Sequence, residues 1–242
     1  MPESSVLLIA GAAVLVGAMV QGGVGLGLAL VAAPVVSLLD PGLMPGSVMV
    51  VTAVLPLLTL AAEWRHMDWR GIGWALAGRV PGTVAGVWVV AALPADALGL
   101  AVGVLVLAAA ALTASRPRLR PTPITLAVAG VVSGVTGTAT SVGGPPIALV
   151  YQRERGPTVR ATLGGYFAIG VAGSLLALAV GGQLDARQAA AGAALVPFAV
   201  AGFLLAGPLR RILDGAVQRT ALLALVAASG ALLVARSALH WI

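Results

Sequence analysis

Apolar residues gather in long runs, at about 6–39, 47–62, 71–93, 97–115, 124–152, 158–182, 188–207 and 220–236, and the charged positions are confined almost entirely to the short stretches between them. Most runs are close to the ~20 residues needed to span ~30 Å of hydrocarbon. The pattern predicts an all-α integral membrane protein. The first and fifth runs are too long for one span, and each carries a glycine-rich break. The first reads Gln21-Gly22-Gly23-Val24-Gly25-Leu26-Gly27, in a stretch that continues to Pro34. The second reads Gly134-Val135-Thr136-Gly137-Thr138-Ala139-Thr140-Ser141-Val142-Gly143-Gly144-Pro145-Pro146. A break at membrane depth frees N–H and C=O groups that lipid cannot satisfy, so it persists only where it is packed in protein or lines a polar cavity. Paired breaks in corresponding halves point to the binding site of a secondary transporter. Each long run is expected to form a hairpin of two short half-helices meeting near the midplane. A single long kinked helix is the alternative.

Composition agrees. The chain has 60% hydrophobic and 9% charged residues, against about 25% charged in soluble domains, and its mean hydropathy is +1.05. A net charge of +6 raises nucleic acid as a partner, but the charges sit in loops between spans, so the expected surroundings are a lipid bilayer and no nucleic acid. Cysteine is absent, which excludes disulfides, thiolate metal sites and cysteine catalysis. The N-terminal Met1-Pro2-Glu3-Ser4-Ser5 has no basic region, so the first apolar stretch is expected to be retained and not cleaved as a signal peptide.

All 14 basic residues are arginine, and eleven of them lie in loops 63–70, 116–123, 153–160 and 208–219, whereas loops 40–46, 94–96 and 183–187 hold only Arg187. The positive-inside rule makes the first set cytoplasmic, with both termini outside a plasma (inner) membrane. Val80-Pro81 followed by Ala85-Gly86 recurs as Val196-Pro197 followed by Ala201-Gly202, at identical spacing. Aligned on these pairs, the loop charges reverse between halves, as in an inverted-topology repeat. The expected architecture is a single transmembrane domain, 1–242. It divides into repeat one (1–115) and repeat two (122–242), each a broken-helix hairpin followed by three transmembrane helices.

The duplicated arrangement, the Gly-Gly-x-Gly-x-Gly at 22–27 with Pro34 following, and the Gly-Gly-Pro at 143–145 resemble the TauE/SafE sulfite exporter family of permeases, over nearly the whole chain. The loop Trp64-Arg65-His66-Met67-Asp68-Trp69-Arg70 is similar to that family's basic, aromatic loop ending in Asp-Trp. Gln21 stands where the family more often has a third consecutive glycine. The resemblance implies transport of small sulfur-containing anions such as sulfite, sulfoacetate or other organosulfonates.

Half-helices that begin inside a membrane present free N–H groups and the positive end of the helix dipole, an anion site without a cation. The candidate ligands at the first tip are Gln21, Gly22, Gly23, Val24, Gly25 and Gly27. Those at the second are Thr138, Thr140, Ser141, Gly143, Gly144 and Pro145. Glycine lets an oxyanion approach the backbone, proline suits a helix start, and Gln21 and the hydroxyls add neutral donors. The competing reading is that the glycines serve close helix packing, the role assigned to Gly164, Gly165, Gly170 and Gly173. Arg79 is the one charge well inside a span. It either faces the cavity as a fixed positive charge or snorkels to the surface. No Asp or Glu lies mid-span, and export of an anion from a negative-inside cell already runs down the voltage by about 2.3 kcal/mol per charge per 100 mV, which favours export. No cofactor is implied, and a homodimer is left open. The alternatives are a non-transporting membrane scaffold, a carrier of a different small anionic metabolite, or an intramembrane enzyme. The last lacks a nucleophile–base pair at depth.

Overall fold

The structure is a computed structural model that describes residues 3–115, 119–154, 156–212, 227–228 and 230–235. The last apolar run, 220–236, falls largely outside these residues. The described residues are mostly helical, with no strand among them. Ten α-helices follow in order: α1 (Ser4–Val24), α2 (Leu28–Leu39), α3 (Gly46–Thr52), α4 (Val54–Glu63), α5 (Trp69–Ala92), α6 (Ala95–Ser115), α7 (Pro123–Thr140), α8 (Gly144–Tyr151), α9 (Gly156–Val180) and α10 (Ala186–Ile212). Five are long and apolar enough to cross a membrane: α1, α5, α7, α9 and α10. Large apolar side chains such as Trp88, Ile124, Leu176 and Val180 stay exposed on the bundle surface, where hydrocarbon in place of water removes the cost.

Both long apolar runs break at the glycine motifs. Gly25 takes a left-handed φ of 90° and its N–H closes on the Gln21 carbonyl at 2.7 Å. Gly27, at φ 153°, then turns the chain into α2. In the second run the left-handed residue is Ser141, at φ 63°. The arms are unequal, which departs from the expected pair of short half-helices. α1 has 21 residues and α7 has 18, each long enough to span, whereas α2 has 12 and α8 only 8. Hydrophobicity is uniform across each run, so break position depends on backbone conformation alone.

Glycine also sets the packing. α5 runs against α7, and α10 against α1, more extensively than any other helix pair among the described residues. At the first interface a side chain on Gly78 or Gly82 would collide with the carbonyls of Ala127 or Val131, and one on Gly130 with that of Ala75. Small residues four apart allow backbones this close, the usual basis of helix association in lipid. At the second interface Gly202 meets the Leu15 carbonyl and Gly22 meets Ala206.

Hydrogen bonds tie the two ends of the bundle. At one end Asp68 caps α5 by accepting from the Gly71 N–H (2.9 Å) and takes the Tyr151 hydroxyl (2.8 Å), while its own N–H donates to Thr162 Oγ1 (3.0 Å). At the other, Arg187 pairs with Asp40 at 2.6 Å, and Gln188 Nε2 donates to the carbonyls of Gly42 and Met44, both at 3.1 Å.

Candidate anion site

Arg79 lies ten residues into α5 and is only 3% exposed. It does not snorkel. Its Nη1 donates to Ser133 Oγ on α7 and to the Tyr166 hydroxyl on α9, both at 3.1 Å, and its Nη2 donates to Ser174 Oγ at 3.2 Å. The guanidinium carbon also lies 5.1 Å from the centre of the Tyr166 ring, a cation–π distance. Every one of these partners is neutral. A guanidinium has five N–H donors, and three are engaged here. The buried Nε has no partner. A buried charge costs several kcal/mol unless it is paired, so this one is stabilised by hydroxyl dipoles and a ring face while its formal charge stays open.

The same guanidinium forms part of the wall of a cavity of about 50 Å³. Both hairpin tips contribute: Gln21, Gly25 and Gly27 from the first, and Ser141, Gly143, Gly144 and Pro145 from the second. The two breaks, more than a hundred residues apart in the chain, therefore face one space together with Arg79. The remainder of the wall is mainly apolar, including Leu26, Leu30, Met49 and Phe167.

Gly22, Thr138 and Thr140 are not on that wall, and the side chains of Gln21 and Ser141, which are, have partners within the fold. Gly22 packs on α10. Of Gly23 and Val24 only the helical backbone, the last turn of α1, is described. Thr138 is buried behind the wall, hydrogen-bonded to Ser174 at 2.9 Å, one step removed from Arg79. The Thr140 hydroxyl donates to the Thr136 carbonyl (2.7 Å) and accepts from the Val142 N–H (3.3 Å), and the Ser141 hydroxyl donates to the Pro45 carbonyl (2.8 Å). These hydroxyls hold the tip in shape and are already spent as donors. Gln21 caps α2, its Oε1 accepting from the Leu28 N–H at 3.1 Å.

Ser133, Tyr166 and Ser174 were not singled out from sequence. Ser133 links the arginine to the second tip, because its hydroxyl also donates to the Gly143 carbonyl at 2.6 Å. Tyr166, Gly170 and Ser174 stand four apart on α9, so they line one face. A side chain at Gly170 would press on the Arg79 guanidinium, 2.5 Å from Nε. The signal in the sequence was that stripe, built around one of only two tyrosines in the chain. Among the described residues no group of His, Cys, Asp or Glu could hold a metal ion.

The chain matches the family described as Sulfite exporter TauE/SafE over residues 9–233. It is 33% identical over 202 residues, 75% of each chain, to the protein of Cupriavidus necator named "Probable sulfite/organosulfonate exporter TauE". No solved structure matches it. A family match across most of the length, on a helical bundle with membrane-length helices, places the chain in the TauE/SafE sulfite exporter family, as a multi-pass membrane transporter of small anions and not an enzyme.

Proposed function

We propose that the chain is a secondary carrier that exports a small sulfur oxyanion, sulfite or an organosulfonate, by alternating access. The anion sits in the cavity between Arg79 and the two hairpin tips. The observation that carries this reading is the buried guanidinium, held by three neutral hydroxyls with its Nε unpartnered, on the wall of that cavity. An oxyanion there supplies the missing counter-charge and accepts a hydrogen bond from the unused Nε. At ~10–15 Å³ for one water-sized group, a cavity of about 50 Å³ takes about four such groups, the size of sulfur with three oxygens. A carbon chain on the anion would lie against Leu30, Met49 and Phe167.

The arginine-rich loops are cytoplasmic in this reading and both termini external, in the plasma membrane. The inside-negative potential then drives the anion outward. The two halves, 1–115 and 122–242, form an inverted repeat. In support, each half's leading hairpin helix, α1 or α7, packs on the helix of the other half that carries the matched Val-Pro pair, α10 or α5. Purified protein in liposomes, loaded with labelled sulfite under an imposed potential, tests the proposal. Saturable efflux that quickens as the inside becomes more negative is the expected result. Efflux no faster than from protein-free vesicles would sink it.

A further inference from the structure

We infer that this site selects the singly charged form of its anion. The inference rests on the reading above, that the cavity holds the transported anion. Among the described residues Arg79 is the only charged side chain on the cavity wall, and Ser133, Tyr166 and Ser174 leave its single positive charge uncancelled. Among the described residues the surrounding elements bring no second charge to the wall. Helices α1, α2, α3 and α7 carry no ionisable side chain, α8 has only Tyr151, which is turned to Asp68, and α4, which reaches the wall at Pro56, has only its last residue, Glu63. On α9 Tyr166 is the titratable group that meets Arg79, while Arg160 lays its aliphatic stem beside Gly25 and is not part of the wall. The other arginine of α5, Arg70, lies at the helix start, exposed.

The helix tips contribute little toward a second negative charge. A helix's positive end resides in its free N–H groups. The first of these in α2, on Leu28, is taken by Gln21. In α8 the positions after Gly144 are Pro145 and Pro146, which have no N–H to offer. One full positive charge therefore dominates. A monoanion closes the balance, whereas a dianion leaves net negative charge in a largely apolar, poorly solvated space, the condition that favours the less ionised form of any buried acid.

Sulfite is a fitting probe because near neutral pH it is a mixture of a singly charged form, hydrogensulfite, and the doubly charged dianion. Methanesulfonate, always singly charged, and sulfate, always doubly charged, match each other in size. Initial fluxes of the three are measured with wild-type protein in liposomes, above protein-free vesicles, on both sides of sulfite's second ionisation. The expected result is methanesulfonate flux that does not change with pH, sulfate flux at least tenfold slower, and sulfite flux that falls about tenfold per pH unit above that ionisation. Sulfate moving as fast as methanesulfonate, or sulfite flux flat with pH, overturns charge selection and leaves the cavity reading intact. Fluxes that are identical in Arg79→Leu protein remove the cavity reading, and charge selection with it.

Discussion

The guanidinium of Arg79 lies directly against the backbone of Gly170, so close that a β-carbon at position 170 would stand 2.5 Å from Nε and 2.7 Å from Cζ. Glycine on α9 thus makes room for a side chain reaching across from α5. The atoms in the way are the far end of a flexible side chain, so Gly170→Ala should leave the fold intact while displacing the guanidinium from Ser133, Tyr166 and Ser174. Substrate affinity, measured by calorimetry, should fall about tenfold or more, since hydrogen bonds to charged groups contribute about 1.5–3 kcal/mol and ~1.4 kcal/mol is tenfold. Unchanged affinity would show that the arginine's position does not matter to the anion.

Arg79→Leu goes further and removes the charge. Its counterpart in the second half under the repeat alignment is Leu195, fully buried in an apolar cluster with Val14 and Ala18, so leucine suits such a span. The variant should insert normally and be no less thermally stable. Its affinity for sulfite should fall at least tenfold, by the same arithmetic. A wild-type dissociation constant in this variant would leave the helix-tip amides as the only ligands.

Adjacent glycines at the second tip should respond differently. A β-carbon on Gly144 meets only Leu26 at 3.6 Å and Phe167 at 3.8 Å, ordinary contacts on the cavity wall. One on Gly143 would press on the Ser133 carbonyl at 2.9 Å and the Gly137 Cα at 3.0 Å. Gly144→Ala should therefore keep thermal stability near wild type, and Gly144→Val should abolish flux by filling the cavity without loss of membrane insertion. Gly143→Ala should lower the unfolding temperature by several degrees, as a change of about 1 kcal/mol does. Equal melting temperatures for the two alanine variants would contradict this packing.

The chain has no cysteine, so single cysteines report topology cleanly. Cysteines placed at Gly42 and Gln183 should react with an impermeant maleimide in intact cells, and those at Arg65 and Glu154 only after permeabilisation. The opposite pattern would reverse the orientation, and labelling of Gly42 and Glu154 from the same side would remove the inversion between halves.

Much of the bundle was legible because arginines punctuate the apolar runs and because the left-handed turn at Gly25 needs a residue that reaches such φ values. The second break was legible only as a region. Ser141, not a glycine, takes the left-handed turn, held by its bond to the Pro45 carbonyl, a contact from a distant loop. The unequal arms were hidden for the same reason, since nothing in an evenly apolar run marks where a helix ends. The setting of Arg79 was open from sequence, because its partners come from α7 and α9 and become neighbours only when three helices meet. The hydroxyls of Thr140 and Ser141 looked free because local back-bonding and the loop contact leave no trace in composition.

The glycine contacts of α5 with α7 and of α10 with α1 have a mechanical consequence. Backbones locked against carbonyls cannot slide past one another without collision, so each pair moves as one piece, and each pair joins a helix from the first half of the chain to one from the second. In the alternating access proposed above, the rocking bodies are therefore not the two halves of the sequence but two hybrids of them. The cavity lies along their seam, with Arg79 carried by one and the Gly25–Gly27 turn by the other.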